Sequence, residues 1–236
     1  MEYQLLHSSG PIPYRLKTSP RRRTVGMRID ESGLTVNAPA RIGKKMLESL
    51  LLERADWIIA KLGEWQARQV PKMRWQDGEP LLYLGNRIQL CLTPDARSRK
   101  PQLEAGRLLI ALPEPENTSV VSRKVLQWYR YEALNDFTRR TQLLTNRLGV
   151  EMPSIALSSA RTRWGSCNSR GEIRLNWRLI QAPPHIIHYV VAHELAHLKE
   201  MNHSPKFWAI VARLCPDYLA ARHELKTMSS QLHRMS

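Results

Sequence analysis

The spacing of apolar and polar positions changes several times along the chain, and each change marks an element. Tyr14-Arg15-Leu16-Lys17 reads as a short strand. Val25, Met27 and Ile29 then alternate with Gly26, Arg28 and Asp30, a period of two. Glu31-Ser32-Gly33 turns the chain and Leu34 to Ala38 returns it, so a hairpin is expected. From Ile42 to Trp65 the spacing becomes three and four, through Leu47, Leu50, Leu51, Ile58 and Leu62, which predicts one long helix. Trp57 and Trp65 are expected as its core or interface anchors. Pro71 and Gly78-Glu79-Pro80 break the pattern, which places a boundary between residues 1–78 and residues 79–236, the two parts being continuous. Leu81 to Leu84 and Arg87 to Leu92 flank Gly85-Asn86 as a second hairpin with a two-residue turn. Leu108 to Leu112 gives one more strand, and no internal repeat is visible.

The second half is more helical. Ser119 to Leu148 is a long amphipathic pattern closed by Gly149, with Arg139, Arg140 and Arg147 on a basic, solvated face. Residues 155–177 read as strand, loop, strand. Pro183-Pro184 opens an apolar helix expected over 184–201, and Ser204-Pro205 caps another that ends at Pro216. A polar helix from Tyr218 to about Leu232 follows, and His223 and His233 are expected at the surface. Strand runs followed by helices make the chain α+β.

That helix carries His193-Glu194-Leu195-Ala196-His197. Residues four apart share a helix face, so both imidazoles can reach one ion, and Glu194 can serve as general base toward a water. Two His and a Glu in an apolar helix are costly without a partner. Catalytic zinc takes three protein ligands and leaves a place for water. His203, ten residues after His193, is the natural third ligand. Arg161 and Arg163 can polarise a substrate oxygen or hold a phosphate, or can pair with buried carboxylates; Arg163 favours function. Asn176 lies on the strand that an extended substrate would follow. Asp217 or Glu200 can support a ligand imidazole. Cys167 lacks a neighbouring base and reads as a small buried thiol.

Composition adds one thing. The formal charge is +15, with a pI near 10.2. That favours an anionic partner such as nucleic acid or nucleotide, or reflects a basic surface with no particular partner. The 236 residues have an ordinary balance of 42% apolar and 24% charged positions. There is no long apolar run and no signal-peptide layout, and three widely spaced cysteines make no disulfide framework. A cytoplasmic protein with reduced thiols and no membrane association is expected.

The runs Arg163-Trp164-Gly165-Ser166-Cys167, Leu175-Asn176-Trp177, Val191 to His197 and Asn202-His203-Ser204-Pro205-Lys206-Phe207-Trp208 resemble the YgjP-like metallopeptidase family, which is related to the SprT-like zinc proteins. The resemblance implies a zincin-like fold, a small sheet packed on the metal-binding helix, with Zn2+ bound by His193, His197 and His203, and Glu194 as the catalytic residue. The leading expectation is a zinc-dependent peptidase acting on protein or peptide substrates. A metal-dependent hydrolase of nucleoside triphosphates or other phosphoanhydrides is the alternative, since the arginines suit phosphate. A basic nucleic-acid-binding protein with a structural zinc comes third.

Overall fold

The computed structural model describes every residue except 1, 31, 32, 68–70, 72, 96, 98, 99 and 236, and every side chain of these except 65–67. Glu31 and Ser32, expected in a turn, and the side chain of Trp65 therefore lie outside the described residues. The chain divides into two compact units, Met1–Val70 and Pro71–Ser236.

In the first unit, β1 (Glu2–Leu5), β2 (Ile12–Ser19), β3 (Gly26–Asp30) and β4 (Gly33–Pro39) form a sheet in the order β1-β2-β4-β3. β2 and β4 are parallel, and the outer pairs are antiparallel. Alternate residues Ile12 and Tyr14, and Leu34, Val36 and Ala38, turn inward against Leu47, Leu51, Ala55 and Ile58. The single helix expected over 42–65 is two, α1 (Lys44–Leu52) and α2 (Ala55–Ala67). The Arg54 amide donates to Leu51 O at 3.2 Å, a tightened turn between them. One tight turn leaves the inward stripe intact, so the periodicity does not reveal the break.

The second unit repeats that sheet. β5 (Pro80–Tyr83), β6 (Asn86–Pro94), β7 (Gln102–Glu104) and β8 (Arg107–Leu112) run β5-β6-β8-β7, again with a parallel centre and antiparallel edges. The sequence shows no repeat because the two halves share alternation and turn glycines rather than residue identity. The two-residue turn after β5 is Leu84-Gly85, one residue earlier than expected, both at positive φ (48° and 81°). Gly85 packs where an added Cβ would stand 2.9 Å from Pro183 Cα, and the Leu84 and Gly85 amides donate to Ile180 and Gln181. Residues 71–78 belong with this unit rather than the N-terminal part. The buried Glu79 carboxylate accepts from the Arg74 and Trp75 amides and from Arg234, whose Nε donates to Pro71 O.

Helix α3 (Thr118–Leu148) begins at Asn117, whose side chain accepts from Val120 N, and ends at left-handed Gly149. Its buried side holds Val125, Tyr129, Phe137 and Leu144. Its Arg140 is not solvated as expected: it pairs with the buried Asp136 carboxylate and donates to Pro184 O at 3.1 Å, tying α3 to the next long helix. The third sheet has the order β10-β11-β9, from β9 (Ile155–Ser158), β10 (Gly165–Cys167) and β11 (Ile173–Asn176). A 3₁₀ turn, Trp177–Gln181, leads to α4 (Pro184–Ala196), then α5 (Pro205–Leu214) and α6 (Tyr218–Leu232). Nine of thirteen α4 residues are buried, so tertiary packing rather than an exposed amphipathic stripe holds this helix. The architecture is mixed α+β. No helix among the described residues is long and apolar enough to cross a membrane.

Candidate metal centre

Helix α4 ends at Ala196, five residues before the expected limit of 201. His197 is its last cap, and the amides of Leu198, Lys199 and Glu200 fold back onto Leu195 and Ala196. This tight exit brings His203 back over the helix end. One ring nitrogen from each of His193, His197 and His203 lies within 4.8 Å of the others. The Nε2 atoms of His193 and His203 are 3.2 Å apart. Zinc–nitrogen bonds of about 2.0–2.1 Å set tetrahedral ligands about 3.3 Å from one another, so the spacing fits a divalent ion.

The protonation states fit as well. Burial, then the neighbouring His197, His203 and Arg222, pushes the His193 pKa down to about 4. Burial lowers His197 too, partly opposed by the carbonyls of Glu200 and Met201. Neutral imidazoles are what a metal requires. His197 Nδ1–H donates to Glu200 O at 3.2 Å, which leaves Nε2 as its ligand atom. The support expected from a Glu200 or Asp217 carboxylate thus comes from a backbone carbonyl. Phe207 packs on all three rings, with centroids 4.9, 4.6 and 4.6 Å from His193, His197 and His203. Ser204 fixes the start of α5 by accepting from Phe207 N. Trp208 stacks on His203, Tyr218 stacks on Trp208, and the Arg222 guanidinium lies 5.3 Å from the Trp208 ring centre.

Glu194 is 5% exposed, and burial pushes its pKa up to about 8. Its carboxyl lies against the Cα of Gly165 at the start of β10: a Cβ there would come within 2.6 Å of Glu194 Cγ and Cδ. Among the described residues β10 pairs only with β11, so its other edge has no strand partner there, next to this carboxylate. Cys167, two residues along β10, is a free thiol pushed up by burial and by Glu194, unsuited to nucleophilic attack.

The substrate candidates fall in different places. Arg161 and Arg163 are exposed on the connection from β9 to β10. Asn176 is fully buried: its Oδ1 accepts from Arg178 N, and its Nδ2 donates to Ala160 O and Arg163 O. Its amide is spent on holding the arginine loop. His233, expected at the surface, stacks on Trp164 at 4.7 Å. Residues without a recognised signal include Gly165 and the Trp208–Tyr218–Arg222 stack. Gly165 and Trp208 lie inside runs that resemble the family, but nothing local in the sequence shows what they touch.

A model of the YgjP-like metallopeptidase domain matches residues 23–228. The chain belongs to that family. A YgjP-like protein is a metal-dependent hydrolase, and the histidine tripod is where this one can hold a divalent ion. The chain is also 26% identical over 131 residues to the UTP pyrophosphatase of Escherichia coli (strain K12), a stretch covering 52% of this chain and 78% of that protein. No solved structure matches.

Proposed function

We propose that this YgjP-like protein is a zinc-dependent hydrolase of nucleoside triphosphates, built on a zincin-like helix and sheet. The observation that carries the reading is the charge around the tripod. Arg222 stands close enough to His193 to depress its pKa, and Arg161 and Arg163 lie on the loop that runs into Gly165. Cations so placed suit a polyanion better than a neutral peptide. The likeness to a UTP pyrophosphatase supports the same substrate class.

His193, His197 and His203 would hold the ion, which when bound supplies a Lewis acid that makes water more acidic and polarises the oxygen of the scissile bond. Glu194 takes a proton from the attacking water and returns it to the leaving phosphate oxygen, so one P–O bond forms and one breaks. Burial that raises the carboxyl pKa also makes its anion a stronger base. Gly165 lets the carboxylate sit flush with the strand. Phe207, packed on all three imidazoles, keeps the rings oriented.

The expectation of peptide hydrolysis stays as a second reading, supported by the open edge of β10 beside Glu194, where an extended chain can add a strand. A panel of nucleoside triphosphates, unfolded proteins and peptides, offered to zinc-loaded wild type and Glu194→Gln, separates the two. Phosphate or pyrophosphate released only by wild type supports the nucleotide reading. New peptide termini made only by wild type, with nucleotides untouched, replace it.

A further inference from the structure

Tyr189, His193 and His197 are spaced by four along α4 and share the face that carries the tripod. The Tyr189 ring meets the His193 imidazole at a steep angle, with centroids 6.0 Å apart. Only 6% of Tyr189 is exposed, yet its hydroxyl has no hydrogen-bond partner among the described residues. A buried tyrosine normally finds one. The phenols of Tyr83 and Tyr129 donate to Glu132 Oε2 at 3.0 Å and to Leu82 O at 2.7 Å. The Tyr189 oxygen is not sealed from solvent either, unlike the Nδ1 of His193, so its hydrogen bond is open to an incoming group.

A second donor arrives from α6. Arg222 is exposed, and among the described residues it has neither a carboxylate nor a carbonyl partner. What holds it is the Trp208 ring, whose centre is 5.3 Å from the guanidinium carbon and 5.8 Å from both His193 and His203. Tyr218, one turn before Arg222, stacks on the same indole at 5.3 Å and fixes its plane. Burial, then the two other histidines and Arg222, lower the His193 pKa, and burial raises that of Tyr189 against the pull of Arg222. The guanidinium thus stands near the phenol as well as the tripod. His203 is exposed, so the tripod opens to solvent on the side where Trp208 stacks.

We propose that the Tyr189 hydroxyl and the Arg222 guanidinium are catalytic donors that grip the oxygens of the phosphate attacked at the tripod. This rests on the nucleotide reading above and names the groups that meet the charge of the reacting phosphate. Negative charge gathers on those oxygens as one P–O bond forms and the other breaks, and fixed donors there lower the barrier. A guanidinium fork matches phosphate oxygens, and a neutral phenol adds a donor without adding charge. Neither gives up a proton: that of the water passes through Glu194 to the leaving phosphate oxygen. Glu194 lies against Gly165 on β10, whereas Arg222 comes from α6, so base and cation reach the site from different elements.

The test measures UTP turnover and zinc affinity in holoenzyme carrying Tyr189→Phe, Arg222→Met or Arg222→Lys. UTP affinity is measured in the same variants of zinc-loaded Glu194→Gln. Tyr189→Phe removes one oxygen and no packing, so the fold and the zinc affinity should stand. Its kcat should fall about 10²-fold, the usual loss on removing one donor to a developing charge, with UTP affinity little changed. Arg222→Met should lower kcat by at least as much and also weaken UTP binding about 10-fold, since its charge meets the bound substrate too. Arg222→Lys should restore part of both losses. Tyr189→Phe and Arg222→Met together should cost less than the product of their single losses, because the two donors hold one group. Wild-type kcat in Tyr189→Phe or in Arg222→Met breaks the pair and overturns the proposal. A loss of turnover matched by an equal loss of zinc affinity assigns both residues to support of the tripod and overturns it as well. A wild type that leaves UTP intact overturns the nucleotide reading itself, and the proposal falls with it.

Discussion

Gly165→Ala isolates the contact that positions Glu194. Position 165 has no positive φ, and in a strand alanine is better than glycine by about 0.5–1 kcal/mol, so the backbone does not object. The new methyl does. It would stand 2.6 Å from Glu194 Cγ and Cδ and closer still to Oε1, where ordinary contact begins at 3.4 Å, so the carboxylate must withdraw by about 1 Å. The neighbour is the far part of a side chain rather than backbone, so the fold can yield at Glu194 alone, with at most about 1–3 kcal/mol of overpacking cost. A displacement near 1 Å at a catalytic group costs on the order of 10²-fold in rate. The assay is UTP turnover, zinc content and thermal melting on one preparation. Turnover should fall about 100-fold with zinc retained and the melting temperature changed little. In a Glu194→Ala background the same substitution should cost nothing more, because it acts through a side chain no longer there. Full turnover in Gly165→Ala, or an equal added loss in the double variant, refutes the positioning argument.

Other consequences follow from the same geometry. Trp208→Ala removes the ring that stacks on His203 and should weaken zinc binding by about 10–100-fold in a chelator competition, the usual cost of losing a ligand's support; an unchanged affinity would show that Phe207 and the loop suffice. Asn176→Ala strips three hydrogen bonds from a fully buried site and should destabilise the protein by several kcal/mol in denaturant melts, with greater protease sensitivity around Arg161. In protein stripped of metal, the Glu194 pKa of about 8 stands above its ordinary 4.5, so the native state binds that proton more tightly than the unfolded chain. The resulting stability is full below pH 4.5 and is lost as pH rises through about 8. Chelated wild type should therefore lose on the order of a few kcal/mol relative to chelated Glu194→Gln across that range, a comparison in which the histidines cancel; parallel stability profiles would contradict it.

What the chain discloses locally and what it conceals differ in kind. The HExxH pair is a matter of helical spacing within five residues, and the hairpins β3–β4 and β5–β6 are matters of alternation and glycine. Those are properties of neighbours in sequence. The central parallel pairings of β2 with β4 and of β6 with β8 are not, and neither is the repetition of one sheet in two units. Arg140 and Arg178 show the same limit: each reads as one more basic residue until distant contacts are known. Arg140 reaches Pro184, forty-four positions on, and Arg178 lies near Arg130 and Arg161 from other parts of the chain. The strand pattern makes Asn176 a substrate contact, yet its amide serves the loop of Arg161 and Arg163, a role set by residues more than ten positions away.

The most direct test of the central claim is zinc content and UTP turnover measured side by side in wild type, Glu194→Gln and His203→Ala. The account predicts about one zinc per wild-type chain, since the site has one tripod. It predicts a Glu194→Gln protein that keeps the zinc and loses about 10²–10⁴-fold in turnover, and a His203→Ala protein that loses the metal and the activity together. Wild-type turnover in Glu194→Gln, or full zinc in His203→Ala, would contradict it.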